Sequence, residues 1–85
     1  MFDQLKQLKQ LKEIQDQLKK ERVEVEKNGV KAVVNGKMEI EEIVLNPDFG
    51  IERQEKAVKD CVNEAVRKVQ TNLAQKMSQM GNLNL

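Results

Sequence analysis

Histidine, tryptophan and tyrosine are absent from this 85-residue chain, cysteine and proline occur once each, and phenylalanine occurs twice. Each shortage excludes something. Without histidine, and with a single cysteine, neither a zinc site nor an internal disulfide has the ligands it needs. Without tyrosine or tryptophan, single-stranded bases have no platform to stack on. There is no Gly-rich phosphate loop, and the one serine, Ser78, has no base to activate it. No catalytic residue, cofactor or small-molecule substrate is expected. No apolar run approaches the ~18 residues of a membrane span, and Lys6, Lys9 and Lys12 interrupt the N-terminal segment that a signal peptide would require. The expectation is a soluble, cytoplasmic protein that is not an enzyme.

The same shortages limit the core. At this size folding hides only about 60 % of the surface that the unfolded chain exposes. The core must be built from Val, Leu, Ile, Ala and Met, without the large rings that usually dominate it. Small domains in that position take a disulfide, a metal or a partner. Only the partner is left.

What is present is clear periodicity. Residues 2–22 contain no Gly or Pro and are rich in Leu, Lys, Gln and Glu, which predicts a helix. The repeat from Gln4 to Lys12 has period three, so its leucines drift about 60° per step around the cylinder. The resulting apolar band is wide enough for more than one neighbour. From Val23 the period changes to two, and two Asn-Gly pairs follow, Asn28-Gly29 and Asn35-Gly36. Asn-Gly between alternating runs is a strong hairpin signal. Strands are therefore predicted at 23–27, 30–35 and 38–46, as a three-stranded antiparallel meander. A two-residue first turn pairs Val25 with Ala32 and Val23 with Val34. The same turn at Asn35-Gly36 would set Val34 against Lys37 and Ala32 against Glu39. A three-residue loop, 35–37, pairs Val34 with Met38 and Ala32 with Ile40 instead. A β-bulge at Glu41-Glu42 then returns Ile43 and Leu45 to that face.

Asn46-Pro47-Asp48 ends the third strand, because proline has no ladder donor. Steps of three and four link Val58, Val62, Ala65, Val69, Leu73, Met77 and Met80 in a second helix over 52–79. Gly81 is its expected C-cap, with a loose tail over 81–85. The fold class is α+β, in the order α-β-β-β-α, as one domain over 1–85. Helices of some 20 and 27 residues span about 30 and 40 Å, whereas six-residue strands span about 20 Å. The helices overreach the sheet, and a second copy of the chain is the expected cover. Val30, Ala32, Val34, Ile40, Val62, Val69 and Leu73 are the expected core and dimer residues.

The net charge of +1 does not announce a nucleic-acid binder, but its distribution is informative. Residues 1–22 carry six bases and four acids, residues 23–46 three and five, and residues 47–85 six and five. The lysines of the first helix lie roughly opposite its leucines, where Glu13 and Asp16 are placed to pair with them at i±4 and mute the face. No acid follows Glu64, which leaves Arg67, Lys68 and Lys76 unopposed. Doubled in a dimer, that pattern suits straddling a phosphate backbone. Ordinary solvated helices fit it as well. Glu39, Glu41 and Glu42 read as the wet face and bulge of an exposed strand rather than a metal cluster. Cys61 reads as a small buried hydrophobe, and Asn63 as a surface residue or a structural hydrogen-bonder.

Two segments, VNGKMEIEEIVLNP (Val34 to Pro47) and CVNEAVRKVQ (Cys61 to Gln70), carry a resemblance to the YbaB/EbfC family of nucleoid-associated proteins. The Met-Phe start, the Gln- and Lys-rich first helix and Lys76-Met77 extend it over nearly the whole length. There are departures. Cys61 replaces an alanine, and Asn46 stands where aspartate is common. The Gly-rich segment before the second strand is reduced to Lys27-Asn28-Gly29, and the Gly/Pro-rich tail is almost gone. The resemblance implies a tweezers-like homodimer that binds double-stranded DNA with little sequence specificity, associated with the nucleoid. Lys6, Lys9, Lys12, Arg67, Lys68 and Lys76 are the expected DNA contacts. The rival expectation is a protein-interaction module that uses exposed helix tips.

Overall fold

The computed structural model describes the backbone of residues 2–83 and the side chains of residues 4–79. It is an α+β chain in which helix α1 (Phe2–Lys20) leads into strands β1 (Arg22–Lys27), β2 (Val30–Asn35) and β3 (Ile40–Val44), and helix α2 (Ile51–Leu83) closes the order. The strands form an antiparallel sheet in the order β1-β2-β3.

The first hairpin has the expected register, with Val25 opposite Ala32 and Val23 opposite Val34. Asn28 and Gly29 both take positive φ, 53° and 85°, which is the backbone a two-residue turn between twisted strands requires.

The second hairpin corrects the expectation. Val34 faces Ile40 rather than Met38, and Ala32 faces Ile43 rather than Ile40. The loop is three residues long but runs from Gly36 to Met38, closed by the Asn35 amide on the Glu39 carbonyl at 3.0 Å. Neither Asn35 nor Gly36 has positive φ; Met38 does, at 62°. The cause lies in the Asn35 side chain, which is only 2 % exposed. Its Oδ1 accepts from the Lys37 amide at 2.9 Å and the Glu39 amide at 3.2 Å. Its Nδ2 donates to the carboxylates of Glu39 at 3.3 Å and Glu41 at 2.9 Å. An Asn that fastens its own backbone in this way nucleates a turn just after itself. Met38 and Glu39 are thereby taken from the strand, which begins at Ile40.

A register shift leaves Glu41 as the extra residue of β3, the bulge expected at this point. β3 then ends at Val44, short of the expected 46, because the Asn46 backbone bonds to Gln54 of α2 instead. Its amide donates to Gln54 Oε1 at 3.0 Å and its carbonyl accepts from Gln54 Nε2 at 2.8 Å. The helices differ slightly from expectation as well. α1 stops at Lys20, where the Glu21 amide turns back to the Leu18 carbonyl at 3.1 Å, and Arg22 already pairs with Asn35. α2 runs through Gly81 to Leu83, since one glycine costs only about 1 kcal/mol relative to alanine, too little to stop a helix by itself. The rest of the expected tail, residues 84 and 85, lies outside the described residues.

α2 packs across one face of β1 and β2. Val25, Val30, Ala32 and Val34 of the sheet meet Cys61, Ala65 and Val69 of the helix, all buried. Val33 is also buried but lies on the opposite face, between Glu24 and Glu42 in register. β3 is left largely uncovered. Ile40 and Ile43 face the same way as Val34 and Ala32, yet Ile40 is 53 % exposed, because α2 crosses the other two strands. Ile40, expected among the core and dimer residues, is thus not part of the packed core of one protomer.

Candidate nucleic-acid interface

The basic residues divide by where they sit. Each one on the sheet or its loops has a carboxylate partner. Arg22 Nε meets Glu41 at 2.7 Å, Lys27 meets Glu64 at 3.4 Å, and Lys37 meets Glu39 at 3.9 Å. Lys31 reaches both Glu24 at 3.1 Å and Glu42 at 3.4 Å across the neighbouring strands. Its ammonium is held above the ordinary 10.5, first by the hydrogen bond to Glu24, opposed by partial desolvation and reinforced by Glu42.

On the helices the pattern reverses. Among the described residues, none of Lys6, Lys9, Lys12, Lys19 and Lys20 forms an ion pair, and neither do Lys56, Lys59, Arg67 and Lys68. The expected muting of the α1 face by Glu13 and Asp16 is therefore not found. Glu13 and Asp16 are exposed, and a pairing worth a few tenths of a kcal/mol does not hold long side chains together. Two helix cations are engaged. Arg53 stacks over the Phe49 ring at 4.2 Å, and Lys76 forms an ion pair with Glu21. Lys76, expected to be unopposed, thus has an acid brought to it from the end of α1.

The six residues expected to contact DNA are all exposed. Lys6, Lys9 and Lys12 lie on the part of α1 that projects beyond its packed end. Arg67 and Lys68 precede Val69, which is packed on the sheet. The remaining expected core and dimer residues also have definite places. Val30, Ala32, Val34 and Val69 are buried, while Val62 and Leu73 pack partly against them. Cys61 is buried with its Sγ 3.5 Å from the Val30 carbonyl. Asn63 is exposed.

Sequence reasoning missed Asn35, Gly36, Asn46 and Gln54 as organisers. Asn46 Oδ1 accepts from the Asp48 amide at 2.9 Å, and its Nδ2 donates to the Asn28 carbonyl at 2.7 Å. Asn46 thereby joins the first turn, through its side chain, to α2, through its backbone bonds to Gln54. An aspartate there could not donate, so the departure from the usual residue has a structural consequence. The dipeptides were legible as turns, but their side-chain partners lie 18 residues apart for Asn46 and Asn28 and leave no local signal.

Apolar surface remains open beside these charges. Leu5, Leu8, Leu11 and Ile14 of α1 each stay more than half exposed. Ile14 and Leu18 border a groove of about 460 Å³ shared with Leu73 and Met77 of α2. Leu45, Phe49, Ile51 and Val58 line another, of about 590 Å³, where β3 meets the start of α2. Among the described residues no helix is long and apolar enough to cross a membrane, and no group of three or more potential metal ligands occurs.

A small sheet whose cations are all paired thus carries two long helices whose cations, among the described residues, are mostly unpaired. The chain belongs to the YbaB/EbfC DNA-binding family, whose model matches residues 1–83. It is 34 % identical to a nucleoid-associated protein of Thermoanaerobacter pseudethanolicus, in an alignment covering all of this chain and 84 % of the relative. A nucleoid-associated protein of Caldicellulosiruptor saccharolyticus is 38 % identical over 61 % of this chain and 50 % of its own length. No solved structure matches.

Proposed function

We propose that the chain is a nucleoid-associated protein of the cytoplasm that binds duplex DNA as a homodimer. The contacts are mainly to phosphates, with little base specificity. The observation that carries this reading is the split in ion pairing. Every cation on the sheet and its loops is matched by an acid of the same protomer, while most helix cations, Lys6, Lys9, Lys12, Arg67 and Lys68 among them, are left for an external anion. Lysine and arginine rows of this kind neutralise phosphates without reading bases, and the chain has neither tyrosine nor tryptophan to stack on an unpaired base. Lys76 joins them only after it leaves Glu21.

The bare apolar surface supports the dimer. Leu5, Leu8 and Leu11 of α1, Ile40 and Ile43 of β3, and Leu45 just beyond it are exposed. A stable self-association buries about 800 Å² per partner, and these two surfaces supply side chains of the right kind. A second copy also doubles the cationic helices.

The test is a gel-shift titration against duplex DNA across salt, with the wild type beside Arg67→Glu/Lys68→Glu. The expected result is weak binding that falls steeply with salt and is abolished by the double reversal at salt where the wild type binds. Salt-insensitive binding, or equal binding by both proteins, contradicts the proposal. The groove between Ile14, Leu18, Leu73 and Met77 favours a second reading, a protein-interaction module that grips a partner through its helix ends. No duplex binding at low salt, with self-association intact, would point there.

A further inference from the structure

Helix α1 touches the rest of its protomer almost entirely through its C-terminal end, so whatever fixes that end fixes the direction of the lysine row beyond it. Two contacts meet there. The Gly36 amide donates to the Leu18 carbonyl at 2.8 Å, and the same oxygen accepts from Glu21 at 3.1 Å. The approach is close enough that a Cβ on Gly36 would lie 2.5 Å from the Leu18 oxygen and 3.1 Å from its carbonyl carbon. Both are backbone atoms, which cannot swing aside as a side chain could. Gly36 does not have positive φ, so close approach, and not turn geometry, is what requires glycine at this position.

The second contact closes a ring around the first. Arg22, two residues past the helix, pairs with Asn35 in register. Its guanidinium bonds to Glu41 at 2.7 Å, and Glu41 accepts from Asn35 Nδ2 at 2.9 Å. Glu41 is the bulged residue of β3, and a bulge re-aims a side chain that an unbroken ladder would send elsewhere. Asn35 in turn holds the loop that presents Gly36.

From this we infer that Gly36, held by the Asn35–Glu41–Arg22 network, is a positioning element for DNA binding. It sets the angle at which α1 leaves the sheet, and hence where Lys6, Lys9 and Lys12 stand relative to α2. The magnitude is sufficient. Lys6 lies roughly 18 Å along the helix from Leu18, so a 20° tilt at the base displaces it by about 6 Å. That is more than the roughly 3.4 Å of duplex axis that separates successive phosphates of one strand. The functional half of this inference rests on the DNA-binding reading above.

The experiment uses the full chain with spin labels at Gln10→Cys and Gln75→Cys, diluted into unlabelled protein, while the buried Cys61 stays unmodified. Gly36→Ala is expected to shift the α1–α2 distance by several ångströms, with exchange protection of Val30 to Val34 unchanged. In duplex binding, Lys9→Gln/Lys12→Gln should lower the log–log salt slope of the wild type by roughly 0.9 for each phosphate contact removed, up to roughly 3.6 for the four lysines of a dimer. The same pair should lower it by less than half as much in the Gly36→Ala background. Glu41→Gln, which keeps the side-chain shape and the loop glycine, serves if Gly36→Ala fails to fold, and should broaden the distance distribution. Unchanged distances in a folded variant overturn the inference. Shifted distances with an undiminished Lys9/Lys12 effect overturn the positioning role. Absence of any DNA binding would sink the functional reading alone, since the distances decide the structural half without DNA.

Discussion

The β1–β2–α2 unit and the α1 arm follow opposite rules in one chain. In the unit, valines and alanines are buried, Lys31 is shared between two glutamates, and Asn35 makes all four of its bonds within the protein. On the arm Leu5, Leu8 and Leu11 are bare, and the lysines form no ion pair among the described residues. Overall composition does not predict this contrast, since residues 1–22 hold almost as many acids as residues 23–46. What differs is geometry. A sheet holds opposite charges across from one another on fixed backbones, whereas an isolated helix leaves long side chains to water. The unit satisfies its own charges and apolar groups, whereas the proposed function has the arm completed by a second copy and by DNA.

Breaking the unit should have the largest effect on stability. Val69→Ala removes two buried methyl groups, at about 0.8 kcal/mol each, and leaves a cavity, so a loss of about 2–3 kcal/mol is expected in urea unfolding followed by far-UV dichroism. Asn46→Asp should cost about 0.5–1.5 kcal/mol by the same measurement, because the Asn28 carbonyl exchanges its protein donor for water. On the arm, Leu8→Ala should change stability by under about 0.5 kcal/mol in dilute protein. At concentrations where the chain self-associates, the cost should rise. A cost independent of protein concentration would remove Leu8 from the proposed interface. The smallest effect concerns pH. Because the folded state raises the Lys31 value, its ion pairs stabilise the fold fully below 10.5 and lose that contribution as pH climbs through the raised value. Lys31→Gln should therefore reduce stability at neutral pH and make little difference well above 10.5.

The fold was legible where the signal is local and periodic. Residues such as Val23, Val25, Ala32 and Val34 alternate cleanly, and Asn28-Gly29 forms the turn that its composition demands. The second Asn-Gly pair was misread because the same dipeptide can act through its side chain as well as its φ angles, and the partners of Asn35 include Glu41, across the loop. Glu41 as the bulge was legible from the phase slip in the apolar pattern. The ion-pair split was legible only in part, since helix spacing suggested pairs on α1 that exposed side chains do not keep. The Glu21–Lys76 pair joins residues 55 positions apart and has no signature in the sequence.

The most direct test of the central claim compares the two kinds of cation in one assay. Duplex binding is measured across salt for Lys6→Gln/Lys9→Gln/Lys12→Gln and for Lys27→Gln/Lys31→Gln/Lys37→Gln, which remove equal formal charge from the arm and from the sheet. The account predicts that the arm variant loses roughly 0.9 from the log–log salt slope for each phosphate contact removed, and that the sheet variant keeps the wild-type slope. Equal losses in both variants, or a larger loss from the sheet, would contradict it.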